Sequence, residues 1–300
     1  MNALTPKSLA ADVIDAVRET ALLADVTLCL WAAERTDKKI MDQAKQQAGA
    51  VGNVGRAIKN LLAGADHDLK DARSAFGGVR AQHYALTLPW VSDPHAERQR
   101  GPRLLPNMMF DRYMGEMARK RTAAMAALDK FIDSYPACAV QAQANLAGLA
   151  DADDYPAPDA VRAQFKVAFD FEPVPSGAGF RGLPPATLAK LETALRRKQE
   201  AMAQGAAGAM WDEVLERLGH LAARLSGPAT RFKASTVEGV QELRGLLPGW
   251  DVGRDPRMAE VLADIDRMVG AVTPQVMRDN LEARAGVVAQ AEALTSKLRG

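Results

Sequence analysis

Cysteine and histidine are scarce in this chain of 300 residues. Its two cysteines, Cys29 and Cys138, exclude a disulfide framework and a zinc site of four cysteines, and they fit a reducing cytosol. Its four histidines form no His-Glu-x-x-His motif, and no Cys-x-x-Cys pair is present. The sequence therefore predicts neither a metal centre nor a cofactor.

Long apolar runs are also missing. No uncharged apolar stretch reaches the roughly 18 residues that a membrane-spanning helix needs, and the best candidate, residues 134–150, is interrupted by a proline and by polar residues. Residues 1–20 carry five charged side chains and lack the apolar region of a secretory signal. We therefore expect a soluble, cytoplasmic protein without membrane contacts.

Neither sign of charge dominates. Lys and Arg together number 38 and Asp and Glu 37, so the net charge is +1. This balance excludes a strongly basic nucleic-acid coat protein and an acidic tail protein, although it allows a local basic patch. Hydrophobic residues make up 48% of the chain, which is enough to bury a substantial core.

Motifs for phosphate or acyl chemistry are absent as well. The chain has no Gly-x-x-x-x-Gly-Lys-Ser/Thr loop and no Gly-x-Ser-x-Gly elbow. The glycine-rich residues 177–182 lack the third glycine spacing of a dinucleotide-binding loop, and Pro184 and Pro185 follow them, so we interpret them as a tight linker. These absences predict that the protein is not an enzyme.

Apolar residues at helical spacing occupy most of the chain. The first helix is predicted to begin at Thr5 as N-cap, with Pro6 in its first turn. Further helices are predicted at 36–48, 54–63, 66–86, 108–134, 136–149, 186–226, 234–247, 256–271 and 274–298. Gly205 and Gly208 interrupt a seven-residue apolar repeat and predict a kink or break in the 186–226 helix.

Two segments alternate in the manner of strands, namely residues 25–31 and residues 165–172. Because a strand leaves backbone groups that need partners, we expect the two segments to pair with each other. The predicted fold class is mainly α, with long antiparallel helices and a small β element formed by these two segments. We expect a single helical domain over residues 1–300, with the Pro/Gly-rich residues 173–185 as the candidate sub-domain break.

Two acidic segments have the composition of metal sites. Asp66, His67 and Asp68 are adjacent in sequence, so on a helix they point in different directions, and we interpret Asp66 as an N-cap. The carboxylates of the loop 151–154 are interpreted as solvated groups that end a helix, and a cation site is the alternative.

The most distinctive charge cluster lies at residues 80–121, where eight basic side chains accompany four acidic ones. It includes the irregular residues 87–107, which contain four prolines. The candidate contact residues are Arg80, Trp90, Arg98, Arg100 and Arg103. The arginines could serve local pairs while Trp90 fills a core site, they could form a surface for a protein partner, or they could hold single-stranded nucleic acid with Trp90 stacked on a base.

Six short sequence motifs between residues 83 and 249 resemble those of one protein family. They are His83-Tyr-Ala-Leu-Thr-Leu-Pro-Trp90, Gly101-Pro-Arg-Leu-Leu-Pro106, Phe110-Asp-Arg-Tyr113, Asp154-Tyr-Pro156, Phe169-Asp-Phe-Glu-Pro-Val-Pro175 and Leu246-Leu-Pro-Gly249. As a set they resemble an uncharacterised family of tailed-phage and prophage proteins over roughly residues 70–270. Members tend to be encoded near a MoxR-like AAA+ ATPase and a von Willebrand factor A-type protein. The resemblance implies a multi-protein assembly and supplies no catalytic residue.

The leading hypothesis is a non-enzymatic phage accessory or assembly protein in the host cytoplasm that acts through protein–protein contacts. A phage-encoded AAA+ ATPase is the candidate partner that the resemblance implies. The main alternative is a single-stranded nucleic-acid-binding protein that uses the basic and aromatic residues of 80–121, and an enzyme of unknown type is a further rival.

Overall fold

Helices dominate the computed structural model, which describes residues 13–49, 52, 55–91, 101–176, 182–227, 234–269 and 274–299. In chain order they are α1 (Val13–Thr20), α2 (Lys38–Ala48), α3 (His67–Leu86), α4 (Phe110–Leu146), α5 (Pro158–Arg162), α6 (Pro185–Ser226), α7 (Ser235–Trp250), α8 (Met258–Val269), α9 (Pro274–Asp279) and α10 (Leu281–Arg299). The mainly α fold class is confirmed. In the described ranges, no helix is both long and apolar enough to cross a membrane.

The strands form two sheets. The strands β1 (Ala21–Cys29), β4 (Leu88–Pro89), β5 (Arg103–Pro106) and β6 (Lys166–Pro173) make a four-stranded sheet in the order β4-β5-β1-β6. The strands β2 (Glu34–Thr36) and β3 (Ile58–Asn60) form a separate antiparallel pair. In the larger sheet β5 is antiparallel to both of its neighbours, and Leu23 of β1 lies opposite Leu104. Both leucines are almost completely buried, so this sheet contributes to the core.

Both predicted strands are present with shifted bounds. The 25–31 segment corresponds to β1, which already begins at Ala21 because β5 pairs with residues 21–24. The 165–172 segment corresponds to β6, and the sheet order confirms that the two strands are neighbours. The charged residues of β6 are exposed as predicted, whereas Val167, Phe169 and Phe171 are half-buried rather than buried.

Most predicted helices are confirmed, and three boundaries are wrong for identifiable reasons. Helix α4 continues through Pro136, which removes one backbone hydrogen bond, because its inward-facing residues are packed on both sides of the proline. Helix α6 continues through Gly205 and Gly208, because burial of Ala206 and Trp211 outweighs a propensity cost of about 1 kcal/mol per glycine. The last predicted helix is divided at Asn280, whose side-chain oxygen accepts a hydrogen bond from the amide of Ala283.

The predicted helix at 54–63 is absent. Residues 58–60 are β3 instead, where Lys59 lies opposite Arg35 and Ile58 opposite Thr36. Pairing with a strand more than 20 residues earlier overrides the local helical pattern. The irregular 87–107 segment likewise contains strands at both ends, β4 and β5. The predicted helix start at Thr5 and Pro6 lies outside the described residues.

The chain divides into two compact units. The first comprises Met1–Asp25, Tyr84–Tyr113 and Asp170–Gly300, and it includes the 173–185 segment. The second comprises Val26–His83 and Met114–Phe169.

Each unit has its own core. In the first, α6 contacts α7 and α10 around fully buried residues such as Leu218 and Val240. In the second, the ring of Trp31 lies 6.2 Å from that of Phe131 and 5.5 Å from that of Tyr135.

Candidate functional site

The predicted nucleic-acid-contacting aromatic residue, Trp90, belongs to the core of the first unit. Only 6% of it is exposed, and Leu86, Thr87 and Leu88 just before it are 1–2% exposed. The indole nitrogen of Trp250 donates a hydrogen bond to the carbonyl of Leu86 at 3.4 Å. This geometry agrees with the interpretation of Trp90 as a core residue.

Arg103 is also buried, with 8% of its surface exposed. Its guanidinium donates to the hydroxyl and the carbonyl oxygen of Thr87, both at 2.8 Å, and lies 4.6 Å from the centre of the Tyr84 ring. Burial lowers the pKa of Arg103 to about 10, so the group is still charged at neutral pH. Its position opposite Pro89 explains these contacts, because the β4–β5 pairing directs it at the backbone of the Thr87 segment.

The remaining candidate residues are in different situations. Arg80 is exposed on α3 and belongs to the second unit. Arg98 and Arg100 lie outside the described residues. Of the five candidates, the structure therefore places two, Trp90 and Arg103, in one core and one, Arg80, on a surface.

A group of three potential metal ligands occupies the first turn of α3. The ligand atoms of His67, Asp68 and Asp71 lie within 4.8 Å of one another, and Asp66 is not part of the group. The Lys130 ammonium donates to Asp68 at 2.7 Å, and this bond is the main reason that the pKa of Asp68 falls to about 2. Since His67 and Asp71 are exposed, the geometry favours an ion pair between α3 and α4 over a metal centre.

A cleft that the sequence reasoning missed lies beside the β2–β3 pair in the second unit. We call it the Lys59 cleft, a cavity of about 310 Å³. Its lining residues are Arg35, Thr36, Asp37, Lys38, Ile40, Gln43, Lys59, Gly148, Leu149, Ala150, Asp151 and Asp154. Strands β2 and β3 supply Arg35 and Lys59, the first turns of α2 supply Lys38 and Ile40, and the loop after α4 supplies the residues from 148 onward.

The Lys59 side chain is buried, and its ammonium has two close acceptors and a third, longer ion pair. Its ammonium lies 2.5 Å from Asp154 Oδ2, 2.8 Å from the carbonyl oxygen of Leu149 and 3.6 Å from Asp37 Oδ2. The hydrogen bond that Lys59 donates to Asp154 raises the pKa of Lys59, so the lysine is charged at neutral pH. The second oxygen of Asp154 lies 3.2 Å from Nε of Arg35, so one carboxylate separates two cations that face each other across the strand pair.

These contacts correct the interpretation of the acidic loop. Asp151 begins a short 3-10 turn as its N-cap and ends no helix, since its side chain accepts a hydrogen bond from the amide of Asp153. Asp154, by contrast, is 9% exposed and pairs with two cations, so it is not solvated. The incorrect prediction of a helix at 54–63 hid this site, because a helix there does not place Lys59 beside an aspartate about 95 residues later.

Comparison with protein-family models, with curated proteins and with solved structures finds no match for this chain.

Proposed function

We propose that this protein is a non-enzymatic accessory or assembly protein that acts through protein–protein contacts, and that it binds its partner through the start of α6. The observation that carries the proposal is the exposure of residues 185–198, which we call the α6 arm. Of its side chains, Leu188 and Leu195 are only half-buried and Leu191 is 38% exposed. Apolar residues at this i, i+3, i+7 spacing form one stripe, which in a packed helix faces a neighbour.

The long helices of the first unit explain where the arm begins. Arg284, near the start of α10, donates hydrogen bonds to the carbonyl oxygens of Leu225 and Gly227 at the end of α6. Because α10 also contacts α6, we infer that the two helices run antiparallel. A helix of 19 residues reaches back along α6 only to about residue 208, so it ends before the arm.

Helix α1 marks the other limit of the arm. Arg18 donates to the side-chain oxygen of Gln199 at 2.6 Å, and Gln199 is 2% exposed. Upstream of this contact the exposed fraction of α6 rises at once, and residues 196–198 are all exposed. The arm is therefore a helical extension of a well-packed base, and a partner can reach its apolar stripe without unfolding any part of the first unit.

The charge of the arm indicates the chemistry of the partner. The arm carries four basic residues, Lys190, Arg196, Arg197 and Lys198, and one acidic residue, Glu192, which is a surplus of three positive charges. Arg196 already pairs with Glu200 at 3.1 Å, so the contact with a partner falls mainly to the other three basic residues. Such a surface suits an amphipathic helix with an acidic polar face, because its apolar side would cover the leucines while its carboxylates meet the basic residues. The resemblance to the phage family suggests that the partner is a AAA+ ATPase in the cytoplasm of the host.

The nucleic-acid alternative is less well supported by the described residues. It needs an exposed ring for base stacking and exposed cations for phosphates, yet Trp90 and Arg103 are both buried. No specific observation in the described part of the chain favours that function.

Two glutamate substitutions on opposite faces of the arm test the proposal. The full chain and a MoxR-like AAA+ ATPase, the proposed partner, are purified, and their affinity is measured by biolayer interferometry. Leu191→Glu places a charge in the apolar stripe and is expected to weaken binding by about tenfold or more. Thr193→Glu adds the same charge on the far side of the helix, where the residue is exposed, and is expected to change affinity by less than about twofold.

Two results would contradict the proposal. One is equal affinity for the wild type and the Leu191→Glu protein. The other is tight binding to single-stranded DNA together with no binding to the ATPase. Circular dichroism of both variants checks that the substitutions leave the helix content unchanged.

A further inference from the structure

We propose that the Lys59 cleft binds a small molecule through an oxyanion group, a carboxylate or a phosphate ester, and that Arg35 and Lys38 hold this group. The inference concerns the second unit and is independent of the partner contact proposed for α6. It rests on which charged groups in the cleft are already engaged and which retain free donors.

The three carboxylates of the cleft are all engaged by the protein itself. Asp154 pairs with Arg35 and Lys59 through its two different oxygens. Asp37 accepts a hydrogen bond from the amide of Ile40 at the start of α2, and Asp151 accepts one from the amide of Asp153. Arg35 and Lys59 therefore balance the charge of Asp154, and Lys59 also faces Asp37 at 3.6 Å, so Asp151 is the one lining carboxylate without a described cationic partner.

The protein engages the three cations of the cleft to different degrees. Lys59 contacts Asp154 and the carbonyl of Leu149 closely and faces Asp37 at 3.6 Å, so its charge is already balanced within the fold. Arg35 is bound only through its Nε, so within the described residues both of its terminal NH₂ groups lack a partner, and the side chain is 58% exposed. Lys38 is exposed and makes no ion pair with any described residue. Arg35 and Lys38 thus offer cationic N–H donors that no described residue uses, whereas a single lining carboxylate, Asp151, lacks a cationic partner among the described residues.

The position of Arg35 suits it for binding an oxyanion. Its Nε is held at 3.2 Å from Asp154, so the orientation of the planar guanidinium is restrained before any ligand arrives. A restrained guanidinium presents two parallel N–H donors to the two oxygens of a carboxylate or phosphate. Lys38 supplies a second, mobile charge from the first turn of α2.

The remaining lining sets the size and the character of the ligand. A volume of about 310 Å³ is at the lower end of the range for small-molecule sites, roughly 300–1,000 Å³. Ile40, Leu149 and Ala150 give the cleft an apolar part, and Thr36 and Gln43 add neutral polar groups. A compact organic acid or phosphate ester fits this combination better than an extended polymer does.

Titration of the full chain with two probes tests the inference. Inorganic phosphate and sodium acetate are added separately to ¹⁵N-labelled protein at constant ionic strength, and amide shifts are followed by NMR. We expect saturable shifts at residues 35–43 with at least one probe. Saturation by phosphate alone identifies a phosphate ester as the natural ligand class, and saturation by acetate alone identifies a carboxylate.

Three variants make the test specific. Arg35→Gln and Lys38→Gln are each expected to weaken the binding of the probe by about tenfold, because each removes one charged donor group. Lys45→Gln removes the same charge from α2 outside the lining and is expected to change binding by less than about twofold. Lys38 is exposed and unpaired in the described structure, so Lys38→Gln keeps the test valid even if Arg35→Gln loosens β2.

The inference is overturned if neither probe gives saturable shifts at residues 35–43. It is also overturned if Arg35→Gln and Lys38→Gln bind the probe as the wild type does, or if Lys45→Gln weakens binding as much as Lys38→Gln, because charge screening would then be the cause. None of these outcomes depends on the partner of the α6 arm.

Discussion

Replacing Trp90 by alanine separates the structural and the nucleic-acid interpretations of residues 80–121. Trp90 is 6% exposed and is the last residue of a chain segment, 86–90, in which every residue is buried. Truncation of a buried tryptophan removes its transfer free energy and leaves a cavity, and such changes cost about 3–5 kcal/mol. We therefore expect the Trp90→Ala protein to lose about 3–5 kcal/mol of unfolding free energy, a large part of the 5–15 kcal/mol that is typical of domains.

Urea denaturation followed by circular dichroism measures this loss, and the binding of a fluorescent single-stranded oligonucleotide is measured in parallel. Met108→Ala is the matched control, since Met108 belongs to the same unit but is 71% exposed, and we expect a change within about 0.5 kcal/mol. A stable Trp90→Ala protein that has lost about 1–3 kcal/mol of oligonucleotide affinity would refute the reasoning, because that is the expected signature of a stacking residue. A salt dependence with a slope of about −0.7 per contacted phosphate would add to the refutation.

Three further substitutions test other parts of the structure. Arg284→Met removes the hydrogen bonds to the last carbonyl groups of α6 and should cost about 2–4 kcal/mol in urea denaturation, so a change below about 1 kcal/mol would contradict the capping role. Gly249 lies inside α7, and Gly249→Ala would place a Cβ atom 2.5 Å from the sulfur of Met109. This variant should be destabilised by about 1–3 kcal/mol, whereas a stabilised variant would show that Met109 moves aside freely. The pKa of Asp68 is lowered from its ordinary 3.8 to about 2, so its stabilisation is complete above pH 4 and is lost as the pH falls through 2. Lys130→Met should lower the stability at pH 6 and make the stability profile flatter between pH 4 and pH 2, and an unchanged profile would show that the pair contributes nothing.

Elements whose signals are local could be predicted from the sequence. Helices α3, α7 and α8 are present close to their predicted bounds because each has an apolar stripe at helical spacing over three or more turns. The strand β6 was visible because Val167, Phe169 and Phe171 alternate with charged residues. In these cases the residues that determine the structure are neighbours in the chain.

The predictions that failed concern segments whose structure is determined by residues distant in the chain. The segment 54–63 has a helical composition, and only its pairing with residues 34–36 makes part of it a strand. Pro136, Gly205 and Gly208 are strong local breakers, but each lies in a helix whose other face is held by distant residues. Asn280 could have been predicted as the start of a new helix, because asparagine is a common N-cap whose side chain accepts a hydrogen bond from the amide three residues later.

The candidate sites, too, could be predicted only where the residues that determine them are neighbours in the chain. Burial of Trp90 could be foreseen from its position after Leu88 and Pro89, as one of three interpretations. The Lys59 cleft could not be foreseen, because Arg35, Lys59 and Asp154 come together from three distant parts of the chain. The α6 arm was equally hidden, since its leucines form the same pattern as those of a packed helix, and only their exposure distinguishes them.

Hydrogen–deuterium exchange of the full chain, alone and with a MoxR-like AAA+ ATPase as the proposed partner, tests the proposed function most directly. If the α6 arm is the partner-binding surface, exchange at residues 188–198 should slow by about tenfold or more on complex formation, while the buried helix α8 is unchanged. Protection confined to other surfaces, with residues 188–198 exchanging at the rate of the free protein, would contradict the proposed role of the arm.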